Sequence, residues 1–233
     1  MNRIIKKLSC FVLCLAVIFS FAACDSETTT DTDESPTYVT PEVQADEQGI
    51  RVVESFAIKS DSEDETSGAY SDVAGILVYN GTDKTLQYAE IYATFSDGAV
   101  YSYKVTTLPP GEYCQVAEDN MQNFRETGTG FFGYEIRNVA FFAQEPSVYS
   151  DRFQFSGADG ILNIKNISDS DITEDIIVYY KDYEDSMLSS GVTYRVTVSG
   201  GLASGEIKQV VANHYKHDGS IVMFVQMAAS EVS

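Results

Sequence analysis

Apolar and polar positions give this chain three successive textures. Leu8 to Ala23 is an apolar run interrupted only by Ser9 and Ser20, with Arg3, Lys6 and Lys7 ahead of it. Asp25 to Gln48 is polar, with eight acidic residues, no Lys or Arg, a series of threonines between Thr28 and Thr40, and Pro36 and Pro41. After Gly49 come short runs rich in β-branched and aromatic residues, at Ile50 to Ile58, Val73 to Tyr79, Gln87 to Phe95 and Val100 to Val105. Asn80-Gly81, Asp97-Gly98 and Pro109-Pro110-Gly111 punctuate them. Such runs suit pleated, half-buried strands and the residues between them suit turns, so the region is expected to be all-β. No later stretch holds apolar residues at helical spacing over three turns; one helical turn is expected near Glu118 to Arg125. The closing runs are Tyr134 to Ala143 and Ser220 to Met227. In the last, Ile221, Met223, Val225 and Met227 alternate with Val222, Phe224 and Gln226, so both faces are largely apolar. Such a strand should be central to its sheet or covered by a neighbouring domain.

The same landmarks occur twice in the same order. Leu108-Pro-Pro-Gly111-Glu112-Tyr-Cys-Gln115-Val116 aligns with Leu202-Ala-Ser-Gly205-Glu206-Ile-Lys-Gln209-Val210. Upstream, Gly75-Ile76-Leu77 aligns with Gly160-Ile161-Leu162, and each is followed by Asn-x-Thr or Asn-x-Ser, at Asn80 and Asn166. The offset is 85 residues at the Gly-Ile-Leu landmark and 94 at the Leu-x-x-Gly-Glu landmark, so the second copy carries an insertion between its middle strands. A unit of that size is a small β-sandwich rather than a solenoid element. Two related domains are expected, residues 49–149 and 150–233, each of six or seven strands. The repeated Asn-x-Ser/Thr is an N-glycosylation acceptor pattern, but its recurrence at equivalent places fits side chains that cap the turn after a strand.

An apolar strand ending in Asn and Thr or Ser, an aromatic strand ending at Phe95-Ser-Asp97-Gly98 or Tyr180-Lys-Asp182, and a Leu-x-Pro-Gly-Glu turn together resemble the immunoglobulin-like domains of the FxLYD type found in bacterial surface lipoproteins. The Phe-x-Leu-Tyr-Asp string itself is absent. The resemblance implies a tandem immunoglobulin-like β-sandwich and no catalytic residue.

The N-terminal order of cations, apolar run and small residues is that of an export signal, and the run is shorter than the roughly 20 residues a membrane-spanning helix needs. Phe21-Ala22-Ala23-Cys24 resembles the bacterial lipoprotein box, with Phe21 where Leu is usual. The resemblance implies cleavage before Cys24 and lipidation of its thiol, leaving residues 1–23 as signal peptide. The alternative is an ordinary secretory signal that leaves Cys24 as a free thiol. Residues 24–48, acidic and poorly hydrophobic, are expected to be a disordered tether. Cys10 and Cys14 leave with the signal and lipid consumes Cys24, so Cys114 has no disulfide partner and is read as a buried apolar residue. Removing Arg3, Lys6 and Lys7 from 15 basic residues leaves 12 against 35 acidic, a net charge of −23. Such a chain repels nucleic acid and anionic headgroups and suits cationic partners or simple solubility.

Little in the chain points to catalysis. His214 and His217 are the only histidines, and Asp218-Gly219 beside them reads as a turn, so a metal is not expected there. The clusters Asp61, Glu63, Asp64, Glu65 and Asp169, Asp171, Glu174, Asp175 lack the glycine that a calcium loop places at its sharp turn. No nucleophile elbow or phosphate-binding glycine loop occurs. Tyrosines are dense instead, at Tyr88, Tyr92, Tyr101 and Tyr103 and again at Tyr179, Tyr180, Tyr183 and Tyr194. Tyrosine suits both half-buried strands and interfaces. Tyr101, Tyr103, Tyr179 and Tyr183 are the first choices for a binding surface. The expected function is that of a lipid-anchored, extracytoplasmic, non-enzymatic lipoprotein without cofactor, binding an envelope or extracellular protein. The alternative is a receptor for a small ligand or cation.

Overall fold

A computed structural model describes residues 49–59, 72–121 and 131–228. The expected signal peptide, Cys24, the acidic tether and the Asp61 to Glu65 cluster lie outside the described residues. Among the described residues thirteen strands occur in order: β1 Ile50–Lys59, β2 Asp72–Asn80, β3 Leu86–Phe95, β4 Val100–Leu108, β5 Tyr113–Ala117, β6 Phe131–Phe141, β7 Phe153–Ala158, β8 Ile161–Asn166, β9 Asp175–Glu184, β10 Met187–Leu188, β11 Tyr194–Val198, β12 Ile207–Val211 and β13 Ser220–Ala228. No helix occurs among the described residues, so the all-β reading holds. Of the helical turn expected over Glu118 to Arg125, residues 122–125 lie outside the described residues; at its start the Met121 amide donates to the Glu118 carbonyl at 3.2 Å.

The connectivity repeats. In the first half β2 lies between β1 and β5, and β3 lies between β4 and β6. In the second half β8 lies between β7 and β12, and β9 lies between β11 and β13. All of these ladders are antiparallel. Residues from both sheets of the first half, including Ile76, Val116, Ile91 and Val105, form one fully buried cluster, so the sheets pack face to face as a β-sandwich does. Leu162, Ile164, Ile176, Val178 and Val198 do the same in the second half. Each such aliphatic side chain contributes roughly 1.5–3 kcal/mol by leaving water.

The repeat's internal register differs by one residue from the expected alignment. Tyr79 pairs with Tyr113 in the first half and Lys165 pairs with Ile207 in the second, which makes Ile76 the counterpart of Leu162 rather than of Ile161. Burial agrees, because Ile76, Val78 and Asn80 point inward as Leu162, Ile164 and Asn166 do. A slip of one residue would turn every side chain to the opposite face.

The insertion expected in the second copy is the segment from Asp185 to Thr193, which contains β10. Its short strand pairs with the end of β9 and, through Leu188 and Cys114, in parallel with β5. It thereby joins β1, β2 and β5 to β9, β11 and β13 in one seven-stranded sheet. The Thr106 amide donates to the Gly191 carbonyl at 2.8 Å, and the Thr106 and Thr193 hydroxyls meet at 2.9 Å. Among the described residues strand β13 pairs with a single strand, β9, so of the two expectations, a central place or cover from outside its sheet, it is the second that holds. Its second apolar face is covered by the first half. Met223 packs on the first-half cluster, the Phe224 ring meets Phe142 edge-on at 5.3 Å, and the Val225 amide donates to the Ser147 carbonyl. A register shift between Val222 and Phe224 lets Phe224 and Val225 both be buried.

Candidate binding surface

Along β3, Leu86, Ala89, Ile91, Ala93 and Phe95 face the core, which leaves Tyr88, Glu90 and Tyr92 on the outer face of the sheet. The Glu90 carboxylate organises that face. It accepts the Tyr88 hydroxyl at 2.6 Å, the Tyr92 hydroxyl at 3.1 Å and the Asn138 amide of β6 at 2.8 Å. Those donors hold the Glu90 carboxyl below its ordinary range, Tyr88 first. The same hydrogen bond, with lesser help from burial and the negative charge, raises Tyr88 to about 12. Both groups therefore keep the donor and acceptor states that make the hydrogen bond at neutral pH.

The Arg137 guanidinium lies 4.7 Å from the centroid of the Tyr92 ring and forms a two-pronged pair with Glu135, at 2.8 and 2.6 Å. Beside them Phe132 is 74% exposed and Val100 55% exposed. Tyr92, Thr94, Val100, Phe132, Tyr134 and Arg137 line an open groove of about 490 Å³. Lys104 and Asp119, paired at 3.0 Å, mark the margin of this face. The arrangement offers flat aromatic and aliphatic area with fixed hydrogen-bonding groups, the chemistry of a recognition surface.

The expected site residues are dispersed. Tyr103 is fully buried in the first core and is corrected from a surface residue to a core residue. Its hydroxyl is buried without a hydrogen-bond partner among the described residues, and burial pushes its pKa well above the ordinary tyrosine range. Tyr101 is half-buried and meets Phe95 edge-on at 5.2 Å. Tyr179 lies flat on Phe224 at 4.2 Å and donates to Gln226 at 2.9 Å, so much of its ring is already engaged. Tyr183 is exposed in a separate cleft of about 900 Å³ with Asp159, Glu184, Asp185, His217 and Asp218. The first-half tyrosines on the outer face are Tyr88 and Tyr92, not the expected Tyr101 and Tyr103. The signal that distinguishes them is the small residue directly after each, Ala89 and Ala93, which fits a core-facing position under a second sheet.

His214 stacks on Tyr194 at 4.5 Å while His217 lines the cleft, so the two imidazoles serve different surroundings. Asp171 accepts the Ser204 amide at 2.8 Å and Asp175 accepts the Gly200 amide at 2.8 Å, which engages that acidic cluster in turn geometry. Among the described residues no group of three or more His, Cys, Asp or Glu side chains is placed to hold a metal. No protein-family model, curated protein or solved structure matches this chain.

Proposed function

We propose that this chain is an extracytoplasmic lipoprotein, anchored through lipid on Cys24, whose two immunoglobulin-like sandwiches of the FxLYD type present a protein-binding surface. It is read as non-enzymatic. The outer face of the β4–β3–β6 sheet carries the reading: Tyr88, Tyr92, Phe132 and Arg137 lie together on it, and aromatic residues and arginine are the types that concentrate binding energy at interfaces. Phe132 at that exposure has apolar area that a partner could remove from water. The acidic tether of residues 24–48 would hold the folded part away from an anionic membrane surface. A photo-crosslinking side chain at position 132 tests the surface, with position 211 as control because Val211 is 73% exposed in the second half. A discrete protein adduct from 132 and none from 211 is the expected result in intact cells. Equal labelling from both positions, or none, would reject the surface.

The cleft beside Tyr183 supports a second reading, capture of a small cation, because Asp159, Glu184, Asp185 and Asp218 supply its negative charge. A thermal-shift panel of calcium, magnesium and polyamines separates the two. Bound ligand at 100 times its dissociation constant adds about 2.7 kcal/mol, which no surface-docking model would give with these small ions.

A further inference from the structure

The seam between the halves encloses a thiol against an amine. Cys114 of β5 and Lys181 of β9 are both fully buried, and Lys181 Nζ lies 3.6 Å from Cys114 Sγ. Nζ also donates to the carbonyl oxygens of Thr106 at 2.7 Å and Gly191 at 3.4 Å. The thiol points at the carbonyl of Ser190, 3.0 Å away, and lies 3.5 Å from that of Gln115. No carboxylate is among these partners. Burial pushes the Cys114 thiol up and the Lys181 ammonium down, towards the neutral form of each. A neutral amine has a free electron pair and can act as a nucleophile. Among the described residues Cys114 is the only cysteine, and it is free.

We infer that Cys114 and Lys181 form a sulfur–nitrogen cross-link when the protein meets a peroxide. The neutral Lys181 amine takes the thiol proton as the sulfur attacks the peroxide O–O bond and becomes a sulfenic acid, and the departing hydroxide leaves as water with that proton, so the peroxide is reduced and the amine is neutral again. The Lys181 amine then attacks that sulfur, the S–N bond forms, and the sulfenic oxygen departs as a second water with a proton from the amine. The sulfur loses two electrons, the peroxide gains them, and thiol and amine together lose two hydrogens. Lysine reaches its target on a flexible four-carbon stem, so side-chain torsions can close the distance between the two atoms. The product would staple β5 to β9, at the place where the two-residue β10 is what joins their sheets.

Intact-mass and peptide mass spectrometry of the folded full chain, before and after dilute hydrogen peroxide, test this. The expected product is lighter than the reduced protein by about 2 Da, is reversed by a thiol reductant, and joins the Cys114 peptide to the Lys181 peptide. The same treatment of Lys181→Arg, or of chain unfolded in urea beforehand, should give no such product. An unchanged native mass, or oxygen added at Cys114 with Lys181 left free, would overturn the inference without recourse to any variant.

Discussion

Asn80 and Asn166 occupy the same place in the two halves and make the same hydrogen bonds. Asn80 Nδ2 donates to the carbonyls of Lys84 at 2.9 Å and Leu108 at 2.7 Å; Asn166 Nδ2 donates to those of Ser170 at 2.8 Å and Leu202 at 3.0 Å. Each Oδ1 accepts the amide and the hydroxyl of the Thr or Ser two residues on, at 3.0 and 2.7 Å in both cases. The Gly111 and Gly205 amides donate to the Asn80 and Asn166 carbonyls. One side chain thus ties the end of a strand to the turn after it and to the Leu-x-x-Gly-Glu turn. Both asparagines are fully buried, so the acceptor pattern there is structural and closed to a glycan in the folded chain.

Asn80→Ala is expected to cost about 3 kcal/mol, because it removes a hydrogen bond from the buried Leu108 carbonyl and from the part-buried Lys84 carbonyl and Thr82 amide, at roughly 1–3 kcal/mol for a buried group left unpaired. Asn166→Ala should cost a similar amount. Asn80→Asp keeps the acceptor but replaces the donating amide with a carboxylate facing two carbonyls, so it should be no better at neutral pH. Urea unfolding of the three variants checks this, and an alanine variant within about 0.5 kcal/mol of wild type would refute the cap.

Tyr103→Phe is expected to stabilise the protein by about 1 kcal/mol, since it removes a buried hydroxyl that has no hydrogen-bond partner among the described residues and keeps the ring. Tyr103→Ala should cost about 3–5 kcal/mol through the cavity it leaves in the first core. Thermal and urea unfolding of the two variants together separate the hydroxyl from the ring. A Tyr103→Phe variant less stable than wild type would mean that the hydroxyl has a partner after all.

The all-β class, the repeat and the place of the insertion are legible in the sequence because each rests on local chemistry: alternation, turn residues and recurring landmarks. Gly-Ile-Leu at Gly75 and Gly160 gives an offset one residue short of the structural one, because the two glycines do not occupy equivalent places. Gly75 lies within β2, close against Phe56 and Ile58, while Gly160 has φ of 75° in the turn before β8. The buried asparagines give the true register, and a buried polar residue is the stronger landmark because its partners are fixed. The fates of Tyr101 and Tyr103 were not legible, since which face of a strand is covered depends on the second sheet. Nor was the meeting of Cys114 with Lys181, which are 67 residues apart and brought together by the non-local seam.

Tyr88 should titrate near 12 in the wild type. Its O–H donates to the Glu90 carboxylate, and ionising it would place a phenolate against that charge, so both effects oppose proton loss. Glu90→Gln removes the negative charge and should bring Tyr88 down towards 10.0, its ordinary value. NMR titration of the tyrosine ring carbons reads the shift for Tyr88 alone. An unmoved Tyr88 would mean that burial, and not Glu90, sets its value.

Gly191→Ala should loosen the seam. A Cβ at that position would stand 2.5 Å from the Lys104 carbonyl oxygen and 2.5 Å from Val116 Cγ1, and a backbone oxygen cannot yield as a side-chain tip can. A cost of about 2 kcal/mol is expected, with overpacking as its cause. Hydrogen exchange at the Thr106 amide, which donates to Gly191, should speed up more than exchange at the Asn166 amide in the second half. Equal acceleration at both would indicate global rather than seam-localised weakening.

Lys181 is a buried amine facing carbonyls and a thiol, with no acid among those partners to balance it. Burial lowers its pKa below the ordinary 10.5. Between that lowered value and 10.5 the unfolded chain holds the proton that the folded chain has released, so this group makes the fold more stable as pH rises through the window. Below the window both states are charged and the penalty for burying the ammonium is felt in full. Lys181→Met fills a similar volume without the charge and is expected to gain about 1 kcal/mol at pH 7. That advantage should shrink as pH rises towards 10.5, the opposite of a lysine stabilised by a salt bridge. Urea unfolding of Lys181→Met and its parent from pH 7 to 10.5, both carrying Cys114→Ala so that the thiol does not titrate in the same range, measures the trend. An advantage independent of pH would show that the amine keeps its proton when folded as readily as when unfolded.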